Sequence, residues 1–220
     1  MFRLKPVLMR ICVALVLGGL CVSPAWGALD LALGPSVGLT LPLSGDITHS
    51  PAGWSAGLDA RLTGFQPVVG LGLSISYAGF PGPYHDSLRQ DSSAYYYRYV
   101  PGLVYLFTDL SRVMPKTGLL PYLRLGAGPC YWDLRRDNSF VTLLDSTLSR
   151  HLDYAFTAAI GVEKRLPRLP LTVYLDLTGN YVASSHFDKY GVYDKDDTYA
   201  QISVGVRYLF EDLAAGRRKD

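Results

Sequence analysis

From residue 29 onward the chain alternates apolar and polar positions, segment after segment. The clearest run is Thr198 to Phe210. Ala200, Ile202, Val204, Val206, Tyr208 and Phe210 share one face; Tyr199, Gln201, Ser203, Gly205 and Arg207 share the other, with Leu209 the apolar exception. A period of two marks an extended strand whose faces meet different surroundings. The same pattern predicts strands over Leu29–Leu41, Gly53–Thr63, Val69–Ala78, Ala94–Phe107, Leu120–Trp132, His151–Glu163 and Pro170–Val182. In the fourth strand Tyr95, Tyr97, Tyr99, Leu103, Tyr105 and Phe107 form the expected apolar face with Arg98 opposite, although Val100, Val104 and Leu106 blur the phase. In the fifth, Pro129 has no amide hydrogen to give to a ladder and predicts a bulge.

The connections keep a rhythm. Those after strands one, three, five and seven are long; those after two, four and six are shorter. An even number of strands, with short turns at one end and long loops at the other, is the signature of a transmembrane barrel. The charges point the same way. The chain is 18% charged, yet the apolar faces carry no charge. On the opposite faces lie Asp30, Asp59, Arg61, Arg98, Arg124, Asp153, Glu163, Asp176 and Arg207. An Arg facing lipid at mid-bilayer costs about 2–4 kcal/mol, whereas inside a barrel it can pair with acids.

Size sets the orientation. Eight strands enclose an interior just wide enough to be filled by side chains. The polar faces are rich in Gly, Ala and Ser, while the other faces are too bulky to fit inside together. The expected fold is therefore an all-β, eight-stranded, antiparallel up-and-down transmembrane barrel with its apolar set in hydrocarbon. Aromatic residues near the strand ends fit interfacial girdles: Trp54, Tyr77, Tyr95, Tyr131, Trp132, Tyr154 and Tyr181 toward the long loops, and Phe107, Tyr208 and Phe210 toward the short turns. A soluble, lipocalin-like ligand carrier is the alternative with the faces reversed.

The N-terminus adds a destination. Arg3, Lys5 and Arg10 precede an apolar run, Ile11 to Val22, and small residues stand at Ala25 and Gly27. This is the layout of a secretory signal peptide cut after Gly27, and the run is too short to span a bilayer as a helix. Leu20 stands before Cys21, where a lipoprotein signal wants a small residue. The expected organisation is a leader over 1–27, a barrel over 28–210 and a short tail over 211–220. The formal charge of +2 becomes −1 once the leader's three basic residues leave, so no nucleic-acid partner is implied. Cys12 and Cys21 leave with it, and Cys130 remains as a small filler without an internal disulfide partner.

The signal peptide, the strand Pro121-Tyr122-Leu123-Arg124-Leu125-Gly126-Ala127-Gly128 and the closing Val204-Gly205-Val206-Arg207-Tyr208-Leu209-Phe210 together resemble the small outer-membrane barrels of the OmpA/OmpX type. The resemblance implies a bacterial outer-membrane location, outer-membrane lipids with lipopolysaccharide as a candidate among them, and recognition of the terminal strand by the outer-membrane assembly machinery. Tyr208 and Phe210 would carry that signal, although Glu211 to Asp220 follow them.

Three kinds of chemistry are weighed against this. A barrel closed by its own side chains works through its loops, in envelope integrity or surface binding; Arg135, Arg136 and Arg150 in the third loop are placed to meet lipid phosphates. A lipid-modifying enzyme, a lipid A deacylase or acyltransferase, needs a nucleophile and a base. Ser184, Ser185, His186, Asp188 and Asp194 share a loop, but no strand fixes their spacing. A metal site from His49, His85, His151 and His186, one per long-loop region, lacks ligand spacing. The expectation is a non-enzymatic barrel without catalytic residues, metal or cofactor, in which the lumen charges form a structural pairing network.

Overall fold

The computed structural model describes residues 30–45, 47–64, 69–82, 95–110, 118–136, 139–140, 150–183 and 196–210. The leader with its cut site, Cys12, Cys21 and the tail 211–220 lie outside the described residues. The elements are β1 (Asp30–Ser44), β2 (Gly53–Thr63), β3 (Val69–Gly82), β4 (Tyr95–Asp109), β5 (Leu120–Arg136), β6 (Ser139–Phe140), β7 (Arg150–Arg165), β8 (Leu171–Ala183) and β9 (Asp197–Phe210). β6 is a two-residue spur on β5. The other eight form a closed antiparallel barrel, in which β1 pairs with both β2 and β9 and the ring is completed between β4 and β5. This is the fold the alternation predicts.

The faces follow the side-chain period. Leu39, Leu58, Leu73, Leu125, Leu152, Ile160, Leu177 and Ile202 stand exposed on the outer wall. Asp59, Arg61, Asp153, Asp176 and Arg207 are buried inside. Trp54, Tyr77, Tyr131, Tyr154 and Tyr181 ring the long-loop end of the outer wall, with Trp54 and Tyr77 stacked at 4.8 Å between centroids. Tyr208 and Phe210 sit at the other end, 4.6 Å apart.

β4 departs from expectation. Its odd positions, Tyr95 to Phe107, are buried in the lumen, and Arg98, Val104 and their even neighbours face outward. Tyr95 and Phe107 therefore leave the girdles, as does Trp132, whose indole donates inward to Asp153 at 2.6 Å. The reason lies in the neighbouring strands, which provide the space that β4's rings fill. Gly70 is paired directly with Phe107, Gly72 with Tyr105, and Gly126 with Tyr105 from the other side. A Cβ on Gly70 or Gly72 would overlap the facing ring. The same device recurs as Tyr122 over Gly161 and Tyr174 over Gly205. Aromatic rings covering cross-strand glycines also pin register.

Gly205→Leu is accordingly expected to displace Tyr174 and lower the unfolding free energy by about 1–3 kcal/mol through overpacking. Gly179 of β8 is exposed, and the nearest atom to a Cβ there is the Ala158 carbonyl oxygen at 3.9 Å. Gly179→Leu should change little. Urea unfolding of the two variants in vesicles, followed by tryptophan fluorescence, compares them.

Pro129 makes no bulge. Its strand keeps one register with β7 across Gly128, Pro129 and Cys130, and with β4 on either side of the proline. Because Pro129 is exposed on the outer wall, its missing amide hydrogen thins the ladder without shifting it. The register shift in the sheet lies instead between Pro42 and Ser44, where β1 meets β9.

Candidate functional site

The lumen is built in three layers. At the short-turn end, three arginines and three acids meet. Arg207 gives its Nε to Asp59 at 2.5 Å and its Nη1 to Glu163 at 3.0 Å. Arg61 reaches the same Glu163 at 2.9 Å. Arg124 lies 3.6 Å from Asp59 and 3.5 Å from Asp176, and donates to Thr178 at 3.2 Å. Tyr105 donates to Asp59 at 2.5 Å, and Tyr122 donates to Asp176. The guanidiniums also lie over rings: Arg207 is 3.5 Å from Tyr174, and Arg61 is 4.0 Å from Tyr122 and 4.6 Å from Phe107. Buried charges persist only when paired and hydrogen-bonded; here the signs balance and the tyrosines supply the extra donors.

Above this network lies a cavity of about 30 Å³ lined by small polar residues, among them Ser36, Ser74, Ser76, Gln201 and Ser203. Arg124 Nε, Thr157 Oγ1 and Asn180 Nδ2 belong to lining residues and have no hydrogen-bond partner among the described residues. A polar space of this size accommodates a water or two, at roughly 10–15 Å³ each.

The third layer, toward the long loops, is aromatic. Phe80, Tyr99 and Tyr199 meet edge to face or tilted, with centroids 5.3–5.9 Å apart. Tyr95, Tyr97, Leu134, Ile47 and Cys130 pack around them. Tyr99 donates to Asp197 at 2.6 Å. Cys130 is fully buried here as a free thiol.

The sequence-derived lumen residues thus divide. Asp59, Arg61, Arg124, Glu163, Asp176 and Arg207 form the lower network, and Asp153 lies in the upper layer beside Trp132. Asp30 opens β1 at the short-turn mouth, where its backbone carbonyl accepts from Thr63 at 3.5 Å. Arg98 is corrected: it is on the outer wall. It binds Asp133 with two hydrogen bonds, at 2.7 and 2.5 Å, because the two residues are directly paired across β4 and β5. The alternation of β4 carries Arg98 outward once its tyrosines point in.

Arg135 and Arg136 are corrected as well. They end β5 rather than lying in a loop, and Arg150 begins β7. Of the lumen tyrosines, Tyr99 and Tyr105 reverse the outward facing expected for them, Tyr199 lies on the polar face expected of it, and Tyr122 and Tyr174 are not among the sequence-derived site residues; the cross-strand glycines are the signal that locates most of them.

His49 sits exposed in the turn after β1, and His151 packs 5.2 Å from Trp132. His85, Ser184, Ser185, His186, Asp188 and Asp194 lie outside the described residues. Among the described residues no three His, Cys, Asp or Glu side chains come together as a metal site. Phe210 closes β9 on the outer wall beside Tyr208 and pairs with Leu31.

No family model and no curated protein sequence matches the chain. Solved structures do. Neisserial surface protein A (NspA) is similar with a TM-score of 0.52 at 13% identity, over 84% of this chain and 99% of that one. OprG, an outer-membrane protein of Pseudomonas aeruginosa, gives 0.45 at 11% identity, over 84% and 96%. The outer-membrane protease OmpT of Escherichia coli gives 0.39 at 10% identity, over 86% and 99%. At these identities the likeness speaks for the fold. With its closed ring of eight strands and outward apolar belt, the chain is a small β-barrel of the outer-membrane kind, the fold class of the OmpA/OmpX-type proteins.

Proposed function

We propose that the chain is a non-enzymatic integral protein of the bacterial outer membrane that conducts nothing through its lumen and acts at its outer surface, in envelope integrity or in binding at the long-loop end. The observation that carries this reading is the double seal of the interior. A layer of Phe80, Tyr99 and Tyr199 stands over a charge-balanced network centred on Asp59 and Glu163, with a small polar cavity between them. The outer wall supports the membrane setting, since the large aliphatic side chains exposed around it suit hydrocarbon and not water. Insertion would depend on the assembly machinery reading the last strand through Tyr208 and Phe210.

Planar-bilayer recording of the refolded barrel tests the seal. The expected record shows no stable channel steps at moderate voltage. Large, long-lived steps would contradict the reading and favour a solute path through the network.

A further inference from the structure

On the outer wall, β4, β5 and the start of β7 run past the apolar belt and carry a cluster of guanidiniums around one carboxylate. Asp133 is wholly covered; Arg98 holds it in two hydrogen bonds, and Arg135 adds a third at 3.3 Å. Arg150 is paired directly across from Asp133. Arg135 and Arg150 both lie over the ring of Phe140, at 4.4 and 5.3 Å. Three positive groups therefore surround one negative group that the surroundings cannot reach, and the presented charge is positive.

The height of this cluster is set by the ladder. Two residues nearer the middle of the barrel, Tyr131 is paired with Leu152, which is 65% exposed on the lipid-facing wall. At about 3.3 Å per residue, Arg98 and Arg150 stand roughly 7 Å above the last fully apolar position, less any tilt, and Arg135, two residues further along β5, reaches back to Asp133. That is where a bilayer turns from acyl chain to headgroup. Among the described residues at the long-loop end of the outer wall, Lys and Arg gather only on this side. At the end of β8, Tyr181 is instead hydrogen-bonded to an acid, Asp196.

We propose that this patch binds the phosphate of an outer-leaflet glycolipid, the lipid A of lipopolysaccharide, with Arg98, Arg135 and Arg150 as donors and Asp133 as the residue that positions the first two. Guanidinium forks match phosphate geometry and stay charged at any relevant pH. The patch is open sideways and continuous with the apolar wall, so phosphate and acyl chains are met by adjoining surfaces. A free phosphate would have no use for the second. The inference rests on the membrane reading above, with which it shares the barrel's orientation.

The test uses the refolded mature barrel in neutral micelles. Heat-modifiable gel mobility establishes that each sample is folded. Native mass spectrometry then titrates lipid A, its dephosphorylated form and phosphatidylcholine. The wild type is expected to hold lipid A about tenfold more tightly than either neutral-headgroup competitor.

Arg135→Gln with Arg150→Gln leaves the Arg98–Asp133 pair intact and should abolish that preference. Arg150→Gln alone, at an exposed position, should weaken it several-fold and decides the matter should the double variant not fold. Lys164→Gln with Arg165→Gln removes equal charge at the other end and should leave it unchanged. Equal binding of phosphorylated and dephosphorylated lipid, or equal loss from the far-end variant, overturns the site while the folded barrel stands. A chain that never acquires heat-modifiable mobility overturns the membrane reading itself.

Discussion

Asp59→Ala is expected to lower the barrel's unfolding free energy by about 3–5 kcal/mol, the usual consequence of removing one partner from a buried ionic group. Asp59 takes hydrogen bonds from Arg207 and Tyr105, each at 2.5 Å, and has Arg61 and Arg124 at 3.6 Å. Without it, Glu163 and Asp176 alone face three arginines. The lower lumen then holds an uncompensated positive charge, and the Tyr105 hydroxyl is left with only the longer contact to the Ala60 carbonyl at 3.4 Å.

The companion variant Asp59→Leu with Arg207→Leu removes charge in equal and opposite amounts. It should recover more than half of the loss, since a neutral apolar replacement of a buried pair is often tolerated. Urea unfolding in vesicles reads both. A loss under about 1 kcal/mol for Asp59→Ala, the range of a solvated pair, would mean that water already reaches the network and that the lumen is a path and not a plug.

Much of this architecture is visible in the sequence. In β8 and β9 the alternation of Leu175, Leu177, Ile202 and Val204 with Asp176, Thr178, Ser203 and Arg207 settles both strand and facing, because aliphatic and ionised side chains tolerate only one environment each. β4 is different. Tyrosine has an apolar ring and a polar hydroxyl, so a row of tyrosines satisfies the period of two with either face inward. Its facing is decided by what lies across the ladder, Gly70 and Gly72 on one side and Gly126 on the other. That information is non-local, and it becomes readable only when neighbouring strands are set in register.

The general argument that small residues line the lumen holds for β1 and β3. It fails for β4 because the glycines of its neighbours make room for rings. Arg98 is misplaced by the same inversion, and its partner Asp133 lies past the end of the expected fifth strand. The rim was the other unread region. β5 continues to Arg136, where Asp133, Leu134 and Arg135 no longer separate apolar from polar positions and therefore resemble a loop. The cationic patch is a product of that continuation, since only a regular strand sets Arg98, Asp133 and Arg150 side by side.

The orientation of the outer wall underlies the plug, the rim and the proposed lipid contact alike. Leu177 lies at the middle of β8, exposed, between Ile160 of β7 and Ile202 of β9. Leu177→Arg would put a guanidinium at the centre of the belt. In a bilayer this is expected to cost about 2–4 kcal/mol, falling to about 0–1 kcal/mol for an arginine near the interface. On a water-facing wall the same change would be close to neutral, within about 0.5 kcal/mol. The deciding measurement is the unfolding free energy of Leu177→Arg relative to wild type in lipid vesicles. A loss of about 2–4 kcal/mol is the predicted result; an unchanged value would mean that the leucine belt does not face hydrocarbon.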